Sequence, residues 1–313
     1  MSTRTSLATP LRPASPALSD ALAAIGQGDL SRSALTALSD LDRLDGRHVM
    51  RAWRAWPVEV RRRLVTALEE LAEEQVALTF ARVLRIALDD SDASVRAAAI
   101  AALWEDESSL LLDRLLELLD DPSRQVRAEA ARGLGRFAER AAAGDYDDER
   151  ERTIFVALEA RAADLRDDAM VRRRALESVA SFGSRGRVRA LIEAAYEHDD
   201  VGVRAGAVCA MGRTLERRWV PVILDELEAD EAELRYEAAR AAGAIGDDDA
   251  VPGLALLATD RDAEVRFAAI SALGTIGSTA ATRALLRLLE DAAPADREAI
   301  EEALESGGDD LFG

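Results

Sequence analysis

One pattern of polar and apolar positions recurs along most of this 313-residue chain. An acidic turn leads into an aliphatic residue followed by Arg, then into an Ala-rich stretch with further aliphatics at plus five and plus eight, often closed by Gly. It reads DDSDASVRAAAIAALWE over residues 89–105, DDPSRQVRAEAARGLGRF over 120–137 and DDAMVRRRALESVASFG over 167–183. It returns as DDVGVRAGAVCAMGR over 199–213, DEAELRYEAARAAGAIG over 230–246 and DRDAEVRFAAISALGTIG over 260–277. The aliphatic anchors Val95, Val126, Val171, Val203, Leu234 and Val265 are spaced by 31, 45, 32, 31 and 31 residues. Apolar residues at these offsets share one face of a 3.6-residue period, so each copy predicts a helix with one buried stripe. A single helical hairpin cannot bury such a stripe, and a constant period of this size is satisfied by stacking copies. The expected architecture is an all-α solenoid.

Each copy is the second helix of a unit. First helices are expected over 110–119, 153–162, 188–196, 220–227, 251–258 and 281–289. A weaker copy over 57–74 places Val60, Val65 and Leu68 in the same phase, followed by a first helix over 80–88. Arg297 falls 31 residues after Arg266, and the acidic segment 297–304 suits a closing repeat whose outer face has no neighbour. The solenoid thus spans residues 57–305. Short helices over 18–25, 32–38 and 47–56 make residues 17–56 an irregular helical cap, residues 1–16 a disordered tail, and 306–313 a flexible C-terminus. The 45-residue spacing holds an acidic insertion over 138–152, AERAAAGDYDDERER, too polar for another buried helix. A helix extension and an exposed loop over 144–149 are expected there.

Charge and composition narrow the chemistry. There are 59 acidic residues against 40 basic ones, all of the latter Arg, for a net charge of −19. That field repels phosphate backbones, so no nucleic-acid partner is expected. A single cysteine, Cys209, permits neither an intrachain disulfide nor a thiolate zinc site. No apolar run nears the ~20 residues of a membrane span, and no signal-peptide pattern opens the chain. No membrane association and a cytoplasmic location are expected. His48 and His198 are the two histidines and lie far apart in sequence, so no metal site, cofactor or catalytic constellation is predicted. Cys209 reads as an inert, partly buried thiol, His198 as a surface or capping residue, and the paired turn aspartates as parts of the repeat.

Recurrent polar positions have structural readings. Asp92, Ser123, Asp168, Asp200, Glu231 and Asp262, each three before an anchor, should cap helix-start amides. Arg96, Arg127, Arg172, Arg204, Arg235 and Arg266 should form a column interleaved with turn carboxylates. Gly135, Gly183, Gly212, Gly243, Gly246, Gly274 and Gly277 are either C-caps or points of close helix approach. Trp53, Trp56 and Trp219 read as packing residues. In a stack, second helices line the inner curved surface and repeated positions form rows. Departures from Ala on those rows offer aromatic and guanidinium anchors of the kind that dominate protein interfaces. Trp104, Arg132, Arg173, Tyr236, Arg240 and Phe267 are the candidate partner-binding residues.

The D-x-x-x-V-R-x-x-A-x-x-A-L-G pattern resembles HEAT repeats, specifically the short kind of the phycobilisome (PBS) lyases, over roughly residues 57–305. The chain as a whole is similar to bacterial HEAT repeat domain-containing proteins. The resemblance implies a right-handed α-α superhelix, the HEAT-repeat or armadillo-like solenoid. It also implies a non-enzymatic scaffold or adaptor that binds an unidentified partner protein on the concave surface formed by the second helices. An alternative implied by the lyases is phycobilin-lyase-like or chaperone-type handling of a chromophore-bearing protein. The HEAT-repeat deoxyhypusine hydroxylases bind iron through His-Glu pairs, but neither His48 nor His198 is followed by Glu.

Overall fold

The computed structural model describes residues 13–290 and 292–308, and every regular element among them is helical. Expectations for residues 1–12 and 309–313 lie outside the described residues. Where the sequence suggests one run from 57 to 305, the structure forms two compact units, Met1–Gly133 and Leu134–Gly313, divided within the longest repeat spacing.

Unit 1 opens with α1 (Pro16–Gly26), α2 (Arg32–Thr36) and α3 (Arg43–Trp53). The Ser15 side chain accepts from the Leu18 amide and Pro16 takes the first helical turn, where its missing N–H costs nothing. The helix therefore starts inside the segment read as tail. Trp53 and Trp56 are 3% and 7% exposed and pack as core residues. Trp53 Nε1 also donates to buried Asp90 Oδ2 at 2.6 Å, tying the cap to the first regular inter-helix turn. The repeats follow as α4 (Val58–Glu74), α5 (Ala81–Ala87), α6 (Ala93–Ala102), α7 (Ser109–Leu118) and α8 (Arg124–Ala142), the last of which continues past Gly133. In α4 the stripe is Leu64, Val65, Leu68 and Leu71, while the expected anchor Val60 is only half-buried.

Unit 2 stacks α9 (Asp148–Ala162), α10 (Ala169–Val179), α11 (Val188–Tyr196), α12 (Val201–Arg213), α13 (Val220–Glu226), α14 (Ala232–Ile245), α15 (Val251–Leu257), α16 (Ala263–Ile276), α17 (Thr279–Glu290) and α18 (Pro294–Gly308). The stripe falls where the periodicity places it. Anchors Val171, Val203, Leu234 and Val265 are buried, as are Leu176, Val208, Ala239 and Ile270 at plus five and Val179, Met211, Ala242 and Leu273 at plus eight. The exposed acidic loop expected over 144–149 is shorter than that. Asp147 caps α9 by accepting from the Arg150 amide, so Asp148 and Glu149 already stand in its first turn, where carboxylates face the positive end of the helix dipole. The extended end of α8 is not solvated all round either, since Phe137, Ala138 and Ala141 are buried.

Two kinds of polar contact recur along the hairpins. Asp92, Asp168, Asp200 and Asp262 accept from helix-start amides as expected. Glu231 makes no such bond, its extra methylene carrying the carboxylate away from the amides. In the arginine column, Arg96, Arg204, Arg235 and Arg266 act as forward latches, each reaching an acidic residue of the next repeat. Arg96 grips Asp121 at 2.9 and 2.7 Å within unit 1, and Arg235 grips Asp260 at 2.8 and 3.0 Å within unit 2. The same guanidiniums reach back to the carbonyls of their own turn, Asp90 O at 2.7 Å and Asp230 O at 2.8 Å. Each latch thereby ties two turns with charge-assisted bonds. His198 fits this scheme as a turn residue, its Nδ1 accepting from the Asp200 amide at 3.0 Å.

Both readings of the glycines occur, at different positions. Gly246 (φ 72°) and Gly277 (φ 60°) are left-handed C-caps. Gly212, Gly243 and Gly274 mark close approach: an added Cβ would lie 2.6 Å from Ala241 Cα, 2.8 Å from Ala272 Cα and 3.0 Å from Ala303 Cα. From α12 to α18, consecutive second helices therefore meet backbone to backbone at one repeating position.

Candidate functional site

Within unit 2, α10, α12, α14, α16 and α18 lie side by side, which puts equivalent residues in rows. The plus-two row is Arg173, Ala205, Tyr236 and Phe267, and the plus-six row is Glu177, Cys209, Arg240 and Ser271. Tyr236, Arg240, Phe267 and Ser271 line one open groove of 590 Å³, with Glu264 and Thr275 on its walls and Gly243, Ala244, Ala268 and Ala272 along its floor. The floor is open because the Gly243–Ala272 approach places only small residues there. Phe267 is 39% exposed, and the Arg240 guanidinium lies over the Tyr236 ring at 5.6 Å from its centroid. Arg240 also contacts Glu237 at 3.3 Å and remains more than half exposed. Three of the six predicted residues thus meet in one groove that joins an apolar surface to a cation.

Arg173 behaves differently from the expectation. Its side chain is 10% exposed and is taken up inside the unit, which argues against its offering a guanidinium to a partner. It binds Glu177 at 2.7 Å on its own helix, then crosses α12 to reach Glu233 at 2.7 Å and Glu237 at 3.7 Å on α14. The crossing needs Gly206, where a Cβ would lie 2.5 Å from Arg173 Cγ, and Gly202, where it would lie 3.3 Å from Nη1. Burial works against the guanidinium's charge, but hydrogen bonds to Glu177 and Glu233 outweigh it and hold its pKa well above the ordinary arginine value. The pair of glycines in VGVRAG, where other copies carry Ala or larger residues, was the only signal in the sequence for this strap.

Around the strap, burial pushes the Glu237 carboxyl up, with Arg240 and Arg173 pulling against it and Glu177 adding to it. Burial, Glu237 and Glu177 together push the Cys209 thiol up to about 12, so it stays protonated and poorly nucleophilic at neutral pH. Among the described residues no three His, Cys, Asp or Glu side chains are grouped to hold a metal ion, and no helix is long and apolar enough to cross a membrane.

In unit 1, Trp104 is 57% exposed and lines a separate groove of 310 Å³. Arg132 lies outside that lining and pairs with Glu129 at 2.7 Å.

This geometry agrees with the comparisons. A family model for HEAT repeats matches residues 80–146 and 220–305. The hairpins within these two stretches match HEAT repeats. A chain from the complex of CpcE and CpcF of phycocyanin lyase from Nostoc sp. PCC7120 superposes with a TM-score of 0.53 at 17% identity, covering 85% of this chain and 96% of that one. A Kap121p mutant gives a TM-score of 0.52 at 14% identity, covering 86% of this chain but only 34% of that one. Identities this low establish the shared fold: an all-α, right-handed HEAT or armadillo-type solenoid. No curated protein matches the sequence. Solenoids of this type present extended surfaces that serve as protein-interaction scaffolds.

Proposed function

We propose that this HEAT solenoid is a non-enzymatic scaffold that binds a partner protein along the face of its second helices, with Tyr236, Arg240 and Phe267 as the central contacts. The carrying observation is the groove in which an aromatic pair and a part-exposed guanidinium share a floor of small residues. Tyr, Arg and other aromatic residues supply most hot spots, because they combine large apolar area with directed hydrogen bonds. Small floor residues admit a partner side chain or backbone that larger ones would exclude. The short lyase-type variant of the repeat is the one that the 31-residue period supports. Chromophore handling draws on the fold likeness alone, and no side-chain constellation here adds to it.

The test is site-specific photo-crosslinking in the source organism, with the photoreactive residue at Phe267 or, as control, at Leu256, a residue 72% exposed on the first helix α15. The scaffold reading expects one protein captured from position 267 and not from 256, with capture lost on Arg240→Glu. Equal capture from both positions, or capture indifferent to Arg240→Glu, would overturn it.

A further inference from the structure

Within the repeat, the residue nine after the anchor is Gly212, Gly243 or Gly274 in α12, α14 and α16. In unit 1 the residue nine after Val95 is Trp104, and α6 has already ended at Ala102. The indole therefore projects from a turn, and the space beside it is the 310 Å³ groove. Its floor is apolar, made by the buried residues Leu68, Phe80, Leu84 and Leu103. Its rim carries Glu69, Glu105, Asp106 and Glu107.

The charge of this groove is strongly one-sided. Arg85 is the cation among its described lining residues, and it is bound to Asp106 at 2.8 Å and to Ser108 Oγ at 3.1 Å. Burial together with Glu73 raises the Glu69 carboxyl above its ordinary pKa, with Arg132 opposing and Glu70 and Glu129 adding to the crowding of negative charge. An aromatic face, an apolar floor and the rim carboxylates of Glu69 and Glu105 complement one kind of group, a cation on an apolar stem. Such side chains cover apolar surface with their methylenes, place the charged head over a ring face and leave donors for carboxylates. A phosphate-bearing partner has the wrong sign.

We propose that the Trp104 groove receives a basic segment of a partner protein, an Arg or Lys lying against the indole with its head near Glu69 and Glu105 and an adjacent apolar residue on the floor. This inference rests on the scaffold reading but concerns a different groove from the one at Tyr236, so either can fail without the other.

The experiment measures fluorescence anisotropy of a labelled, end-blocked Leu-Arg-Leu-Arg peptide with the full chain, against a Leu-Glu-Leu-Glu control. The expected result is binding of the Arg peptide only, weakening as salt is raised. Glu69→Gln with Glu105→Gln should weaken it about tenfold, and Trp104→Phe should weaken it about threefold while keeping an aromatic floor. The matched control is Glu298→Gln with Glu302→Gln on α18, which removes the same formal charge at another exposed acidic face. Equal weakening by the two double variants would mean that general attraction to an acidic protein is being read, and would overturn the assignment. So would binding indifferent to Trp104→Phe and to the groove double variant alike, in proteins whose circular dichroism is unchanged.

Discussion

The second helices of unit 2 and those of unit 1 face the same packing problem with different residues. In unit 2, Gly212, Gly243 and Gly274 let each helix approach the next through Ala241, Ala272 and Ala303, backbone against backbone. In unit 1, α6 stops before the equivalent position, which carries Trp104. The glycine opposite, Gly133, meets side chains instead: its added Cβ would lie 3.3 Å from both Ile100 Cγ2 and Leu115 Cδ1. The same repeat thus builds a small-residue groove floor where glycine permits close approach, and a large-residue floor where it does not. Helix spacing and surface shape therefore follow from the residue at this position together with the side chains that face it.

The most damaging way to break this comparison is Gly243→Val. Its Cβ would overlap Ala272 Cα and Cβ, both at 2.8 Å, and one of these is backbone that cannot rotate away. Overpacking of this kind is expected to cost about 3 kcal/mol. Hydrogen exchange would register it as faster exchange along α14 and α16, with α4 and α6 unaffected. Exchange unchanged in α16 would show that the close approach is not needed for the stack.

Next in size is the latch. Asp260→Asn leaves the Arg235 guanidinium, only 7% exposed, without its carboxylate, for an expected loss of about 2 kcal/mol. The loss should depend on pH in a defined direction. The side-chain hydrogen bond from Arg235 holds the Asp260 carboxyl below its ordinary range in the folded chain, despite its partial burial. Its stabilising contribution is therefore fully present above the unfolded-state carboxylate pKa and fades as pH falls through that value toward the lower folded one. Urea melts of the wild type and the variant should converge in acid, and parallel curves down to acid pH would refute the latch as the source.

These two features differ in how far the sequence revealed them. The phase of the buried stripe was legible because burial at the anchor, plus five and plus eight is a local consequence of helix period, and Val203, Val208 and Met211 follow it without exception. The glycines were legible as special but not as to kind. Gly243 and Gly246 sit three residues apart at the end of one helix, and which of them caps and which packs depends on where the next helix runs. The Arg173 strap was the least legible feature of the candidate face. It joins residues 60 apart in sequence, across an intervening helix, and a repeat is ordinarily read one neighbour at a time. Asp148 and Glu149 are polar enough to suggest a loop, yet the aspartate before them caps a helix and places both in its first turn.

Arg173→Met sharpens the contrast between neighbour-to-neighbour packing and this longer link. The substitution keeps a flexible apolar stem over the Gly202 and Gly206 notch but removes the charge, leaving Glu177 and Glu237 buried without it. An expected loss of about 1.5 kcal/mol at neutral pH follows from taking one guanidinium from each buried carboxylate, Glu177 keeping Arg174 and Glu237 keeping Arg240. Burial raises the Glu237 carboxyl, so its charged form opposes folding in full above that raised value, and the penalty should shrink as pH falls through it toward the unfolded-state carboxylate value and the group takes up a proton. A penalty that grew on acidification would contradict the assignment.

The smallest expected effect is the most direct test of what one position controls. Trp104→Gly gives unit 1 the residue that unit 2 uses for close approach. If glycine alone set the spacing, α6 would lengthen past Ala102 and the groove beside it would close. The structure argues otherwise, because Gly133 is walled by Ile100 and Leu115 and the floor is already filled by Leu68, Leu84 and Leu103. Trp104 is more than half exposed, so its removal should change stability by less than about 1 kcal/mol. Amides 104 and 105 should exchange as fast as in the wild type. New protection there would mean that the tryptophan holds the groove open and that the side chains of the floor do not. The spacing of the second helices would then be a property of that single residue, and exchanging it for glycine would convert one kind of surface into the other.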